Sequence, residues 1–198
     1  RASFALCEFL DGVMAGKDLS AVGLFPHYRD VQNLAGSDRI HPADLWPVAH
    51  RLAEPAVSAA VAPLPYGPEA RARLDNAVLR IVKSADPQAA ADMQAICQGF
   101  AAAQPERQVR AFWAICAGFF EALSRQVLKP DLYAKRVASR VLMQYAGLAK
   151  GDGAIGERLV QDLLFFCAQA EPDAAAEGAA APALQAVREA FGLKRHQP

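Results

Sequence analysis

The sequence predicts an all-α fold, a multi-helix antiparallel bundle, and three observations predict it. Large apolar residues recur every three or four positions, as in Val109, Phe112, Cys116, Phe119, Leu123 and Val127, the pattern of helices with one buried face. Alanine dominates, in runs such as Ala89-Ala90-Ala91 and Ala101-Ala102-Ala103, and it loses no side-chain entropy in a helix. No stretch alternates with period two beside hairpin turn signals.

Taken in order, Phe4, Cys7, Leu10 and Met14 place a helix over 2–15. Gly16 stops it, because glycine enters the left-handed conformation without a Cβ clash. A second helix covers 26–35, and His41-Pro42-Ala43-Asp44-Leu45-Trp46 opens a short third that ends before Pro55. Residues 53–68 carry Pro55, Pro63, Pro65, Gly67 and Pro68. Prolines remove backbone donors and restrict the preceding residue, so this is an extended connector draped over the core.

Beyond it, Leu74, Val78, Ile81 and Val82 mark a helix over 69–84. Asp86-Pro87 caps the next, over 87–103, and Gln104-Pro105 opens a longer one over 106–127, with Pro suited to the first helical position. Leu132, Val137, Val141, Tyr145 and Leu148 mark 131–149, and Ile155, Leu159, Leu163 and Phe166 mark 154–169. Glu171–Ala181 is low in complexity, a loose linker. Leu184, Val187 and Phe191 form a last short helix ended by Gly192. The expected organisation is a bundle domain over 1–170 and an Ala-rich linker with a short helix over 171–198. The bundle domain comprises an N-terminal segment 1–52, the connector 53–68 and main helices 69–170.

Composition narrows function by exclusion. Across 198 residues, acids and bases balance at 21 each, so no global field steers the chain toward nucleic acid or an anionic membrane. No apolar run approaches the roughly 18 residues that span a bilayer. Cys7, Cys97, Cys116 and Cys167 form no CxxC motif and sit in apolar stripes, as buried free thiols in a reducing compartment would. The chain begins with Arg1 inside a helical pattern and is expected to be a piece of a longer polypeptide.

His50 is the one candidate for covalent chemistry. A histidine phosphotransfer helix presents an exposed imidazole with a Lys-Gly pair close behind it, yet Ala53-Glu54 occupies that place here. A carboxylate there repels phosphate, so His50 reads as structural and phosphotransfer is the alternative. His41, His27 and His196 lack the spacing of a metal set, and no cofactor is expected. The serines have no GxSxG or SxxK context. Gly151-Asp152-Gly153-Ala154-Ile155-Gly156 has GxGxxG spacing but follows a helix, so it is a turn between helices. Acids are scattered and read as exposed. Lys135, Arg136 and Arg140 share the polar side of one helix, either a solvated face or a docking surface for an acidic protein. No interleaved aromatic residue suits it to nucleic acid.

Three groups of segments carry a resemblance. They are Leu24-Phe25-Pro26-His27-Tyr28-Arg29 with His41-Pro42-Ala43-Asp44-Leu45-Trp46-Pro47, Arg110-Ala111-Phe112-Trp113 with Phe119-Phe120-Glu121-Ala122-Leu123, and Lys135-Arg136-Val137-Ala138-Ser139-Arg140. Together they resemble the N-terminal region of CheA-like hybrid histidine kinases of type IV pilus chemosensory systems, the ChpA/PilL type, shared with FimL-like scaffold proteins. The resemblance runs over most of 1–170. It implies a cytoplasmic bacterial protein in twitching-motility signalling and a degenerate, Hpt-like helical domain without catalysis of its own. Partners would be phosphotransfer, receiver or pilus-regulatory proteins. Trp46, beside a turn on a short helix, is the best candidate for an aromatic anchor of such an interface, although core packing is the first reading of a tryptophan there.

Overall fold

The computed structural model describes residues 53–56, 60–170 and 181–193. All of them belong to the second of two compact units, Ala49–Arg195. The helices expected over 2–15 and 26–35 lie outside the described residues, as do Cys7, His27, His41, Trp46, His50, His196 and the stretch 171–180. Of the helix expected from His41 to before Pro55 only Ala53 and Glu54 are described, and they are not helical.

Six helices and no strand occur among the described residues, so the fold is the multi-helix bundle the periodicity predicts. They are α1 (Pro68–Ser84), α2 (Pro87–Ala103), α3 (Arg107–Ser124), α4 (Leu132–Ala149), α5 (Glu157–Gln169) and α6 (Pro182–Phe191). Local chemistry sets their ends. Pro68, Pro87 and Pro182 occupy first-turn positions, where a missing N–H removes no helical bond. The Asp86 carboxylate accepts from the Gln88 amide at 2.9 Å, and Asp131 from the Ala134 amide at 2.8 Å; both act as N-caps.

Two ends differ from the sequence expectation. Pro105 lies before the N-cap Glu106, so α3 starts at Arg107. At its other end α3 stops at Ser124 rather than 127. Gln126 takes a left-handed conformation, φ 60°, and its amide donates to Leu123 O while Val127 N donates to Ala122 O. This is a Schellman closure, and Pro130 follows it. Val127 and Leu128 still pack on the core, from the turn rather than the helix. Gly151, φ 89°, closes α4 in the same way, so the GxGxxG segment is the inter-helix turn expected.

α3 is the centre of the bundle. It packs on α2, α5 and α6, while α1 packs on α2 and α4, α4 on α5, and α5 on α6. Trp113, Phe112, Phe119, Phe120 and Ile115 of α3 are fully enclosed, with Phe100 and Met93 of α2 and Leu163 of α5. Burying each such side chain contributes about 1.5–3 kcal/mol.

Candidate functional site

The connector is stitched into an aromatic cluster. Trp113 Nε1 donates to the Tyr66 hydroxyl at 2.8 Å. Tyr66 meets Phe100 and Tyr145 edge-on at 5.1 and 5.3 Å between ring centroids. The Tyr145 hydroxyl lies 3.3 Å from both the amide and the carbonyl of Gly67. Burial pushes the Tyr66 phenol up to about 12, which leaves it a neutral structural hydroxyl at physiological pH. Leu64 N donates to Gly99 O at 2.9 Å. A Cβ on Gly99 would stand 2.7 Å from Leu64 Cβ, so glycine is what lets the connector lie flat on α2. Upstream, the Glu54 carboxylate accepts from Arg110 at 2.8 Å and lies 3.7 Å from Arg107. The Arg110 hydrogen bond holds this carboxyl below its usual range.

Two acids that the sequence reading assigned to exposed faces are buried: Glu121 is 1% and Asp162 2% exposed. Each has a helix-binding task that keeps it inside. Glu121, alone in the apolar run of α3, accepts from the Leu184 amide at 3.1 Å and from the Gln94 side chain. It therefore caps α6, whose own N-cap position, Ala181, supplies no side-chain acceptor. Gly118, one helical turn earlier, lets α6 approach: a Cβ there would meet Val187 Cγ2 at 2.7 Å and Ala183 O at 3.2 Å. Arg188 completes the seat by donating to the carbonyls of Cys167 and Ala170. Burial raises the Glu121 pKa, partly opposed by the α6 amides, Arg125 and Gln94.

Asp162 bonds Arg140 of α4 and Arg158 of its own helix. Arg140 thus joins α4 to α5, and of the three cations expected to form a docking surface it is half-buried in this tie. Lys135 is half-buried and Arg136 exposed. The α4 surface also exposes Leu132 and Met143, at 60% and 73%, and Tyr133. Trp46 and His50, the other two candidates, lie outside the described residues.

The remaining chemistry is contained. Cys97, Cys116 and Cys167 are free and buried, as their stripes suggest. Burial raises the Cys116 thiol well above its ordinary value and Cys167 to about 12, so neither supplies a thiolate at neutral pH. No set of His, Cys, Asp and Glu that could hold a metal occurs among the described residues. No described helix is long and apolar enough to cross a membrane. One shallow groove is walled by small residues, among them Ala101, Ala114, Ala117 and Ala183. A cleft of about 350 Å³ lies between the 126–131 turn and Phe165, Phe166 and Gln169 of α5. The first has no titratable side chain in its lining; the second is lined by Lys129 and Asp131, and Asp131 is engaged as the N-cap of α4.

Glu121 and Gly118 were legible only as an acid and a glycine inside an apolar stripe, which is the signal that could have found them. The tie between Asp162 and Arg140 spans 22 positions and leaves no local trace.

A family model described as FimL scaffold protein second domain matches residues 59–198. The match covers well over half of the chain, and the chain belongs to that family. It begins after the 24–47 segments that carry part of the sequence resemblance and continues through α6. No curated protein and no solved structure matches the chain.

Proposed function

We propose, on the premise of membership in the FimL scaffold second-domain family, that this chain is a non-catalytic scaffold domain of a bacterial type IV pilus chemosensory system. It acts in the cytoplasm by contact, holding phosphotransfer, receiver or pilus-regulatory proteins. Its bundle is a degenerate relative of the phosphotransfer domains of ChpA/PilL-type kinases. One observation supports this most: the two enclosed carboxylates, Glu121 and Asp162, are both engaged in joining helices. The chemistry of the core is directed at holding shape, which is what a platform for partners requires.

Partner contact is assigned to Arg136 and Lys135 on α4, with Trp46 as an aromatic anchor. Arg140 supports that surface through Asp162. The test is to incubate the full chain with the radiolabelled phosphorylated kinase core and receivers of its own chemosensory system. Co-elution with one of them, without acid-labile label on the chain, is the expected result. Label that disappears in His50→Gln would replace the scaffold reading with phosphotransfer at His50.

A further inference from the structure

α4 contains three cations, Lys135, Arg136 and Arg140, and no acid, in a chain whose total charge is zero. Lys129 precedes it and Lys150 is its C-cap. The nearby acids are engaged: Asp131 caps α4, Asp152 accepts from Ala154 N at 3.0 Å, and Asp162 holds two arginines. Lys129, Lys135, Arg136 and Lys150 make no ion pair among the described residues.

At 100° per residue, Leu132, Arg136, Met143 and Lys150 fall within about 40° of one another, along roughly 27 Å of helix. The outer line of α4 therefore alternates apolar and cationic side chains, and all four are exposed. Gly147 lies beside this line. Glycine is a poorer helix former than alanine, and here a Cβ would meet nothing within 4 Å. Nothing among the described residues requires that glycine, whereas a backbone approaching from outside would.

We infer that the outer line of α4 is the docking site for an acidic amphipathic helix of a partner protein. The apolar side chains of that helix cover Leu132 and Met143, its carboxylates meet Arg136 and Lys150, and its backbone passes close to Gly147. Charge complementarity selects this occupant. The two large apolar residues alternating with the cations favour a helix over a nucleic acid, whose phosphates would leave them uncovered. The inference rests on the scaffold reading for its biological meaning, and its test is independent of the phosphoryl-label assay.

The experiment uses the full chain and fluorescence anisotropy with two labelled synthetic helices of about 18 residues. They share leucine spacing and carry either glutamates or lysines on the flanks. The glutamate helix is expected to bind, more weakly as salt rises, and the lysine helix not to bind. Arg136→Glu and Met143→Asp are each expected to weaken binding by about tenfold or more, and Gly147→Leu likewise by blocking approach. Lys83→Glu, an exposed control on α1, leaves binding unchanged; all four variants stay folded by circular dichroism, and Gly147→Leu melts higher than the parent because leucine is the better helix former. Equal binding of both helices, no binding of either, or indifference to Arg136→Glu and Gly147→Leu overturns the inference. So does displacement of the glutamate helix by phosphatidylglycerol vesicles, which would make the face a lipid surface.

Discussion

Replacing Glu121 tests how α6 is held. In Glu121→Ala, the buried Leu184 amide and the Gln94 side-chain amide both lose their acceptor. Hydrogen bonds to a charged acceptor are worth about 1.5–3 kcal/mol each, and an orphaned buried donor costs about 1–3 kcal/mol. A lost helix cap costs about 1 kcal/mol. These descriptions overlap and do not add, so the expected loss is about 3 kcal/mol, on the order of a hundredfold in the equilibrium. Part of it appears locally. α6 has ten residues, too short to persist alone, so losing its cap lets it leave the Gly118 seat before the bundle unfolds.

Urea unfolding measures the total, and hydrogen exchange of the Leu184 and Val187 amides measures the local share. Glu121→Gln keeps an acceptor for Leu184, and Gln94 can turn its amide oxygen toward the new NH2, so this variant is expected within about 1 kcal/mol of the parent. The two variants also separate in pH. Because the Glu121 pKa is raised in the folded state from 4.5, the native protein keeps that proton at pH values where the unfolded chain has released it. This contribution therefore falls as pH rises from about 4.5 through the raised value, and is flat above it. Glu121→Gln removes that slope. A Glu121→Ala loss below about 0.5 kcal/mol, with unchanged exchange at Leu184, would refute the capping argument.

Gly99→Ala is expected to destabilise by about 2 kcal/mol, since its Cβ would stand 2.7 Å from Leu64 Cβ; chemical denaturation checks this, with faster proteolysis within 60–66 reporting a lifted connector. Cys97, Cys116 and Cys167 should resist alkylation in the native protein and react after unfolding, since burial raises the Cys116 and Cys167 thiols; site-resolved mass spectrometry reads each thiol. Arg140→Ala should cost about 1 kcal/mol, limited by solvent screening and by the Arg158 bond that remains to Asp162. Arg136→Ala should leave stability within about 0.5 kcal/mol, a contrast that thermal melts under one buffer resolve.

Helical periodicity made the bundle legible because each stripe is a local property. Phe112, Cys116 and Phe119 announce the buried side of α3 whatever lies opposite. Caps were legible for the same reason: Asp86-Pro87 needs only its own next turn. The end of α3 was not, because the continuing apolar pattern at Val127 reflects burial under a turn, which periodicity reads as more helix. The placement of acids failed on a different ground. Glu121 and Asp162 are buried because each meets a partner brought by the tertiary fold, Leu184 at a separation of 63 and Arg140 at 22. No window over the sequence contains both members of either pair.

The same distinction divides the cations of α4. Sequence spacing placed Lys135, Arg136 and Arg140 on one polar side, and that placement cannot tell a guanidinium that serves the fold from one offered to solvent. Asp162 makes the distinction. Burial of Val137, Val141, Tyr145 and Leu148 sets the rotation of α4 on the bundle, which leaves Arg140 within reach of Asp162 and turns Leu132, Arg136, Met143 and Lys150 outward together. Two arginines four residues apart thus acquire opposite duties, and variants should separate them: Arg140 through stability, Arg136 through partner binding at unchanged stability. If both substitutions moved both measurements equally, the face would be continuous with the core tie and α4 would present no separable docking line.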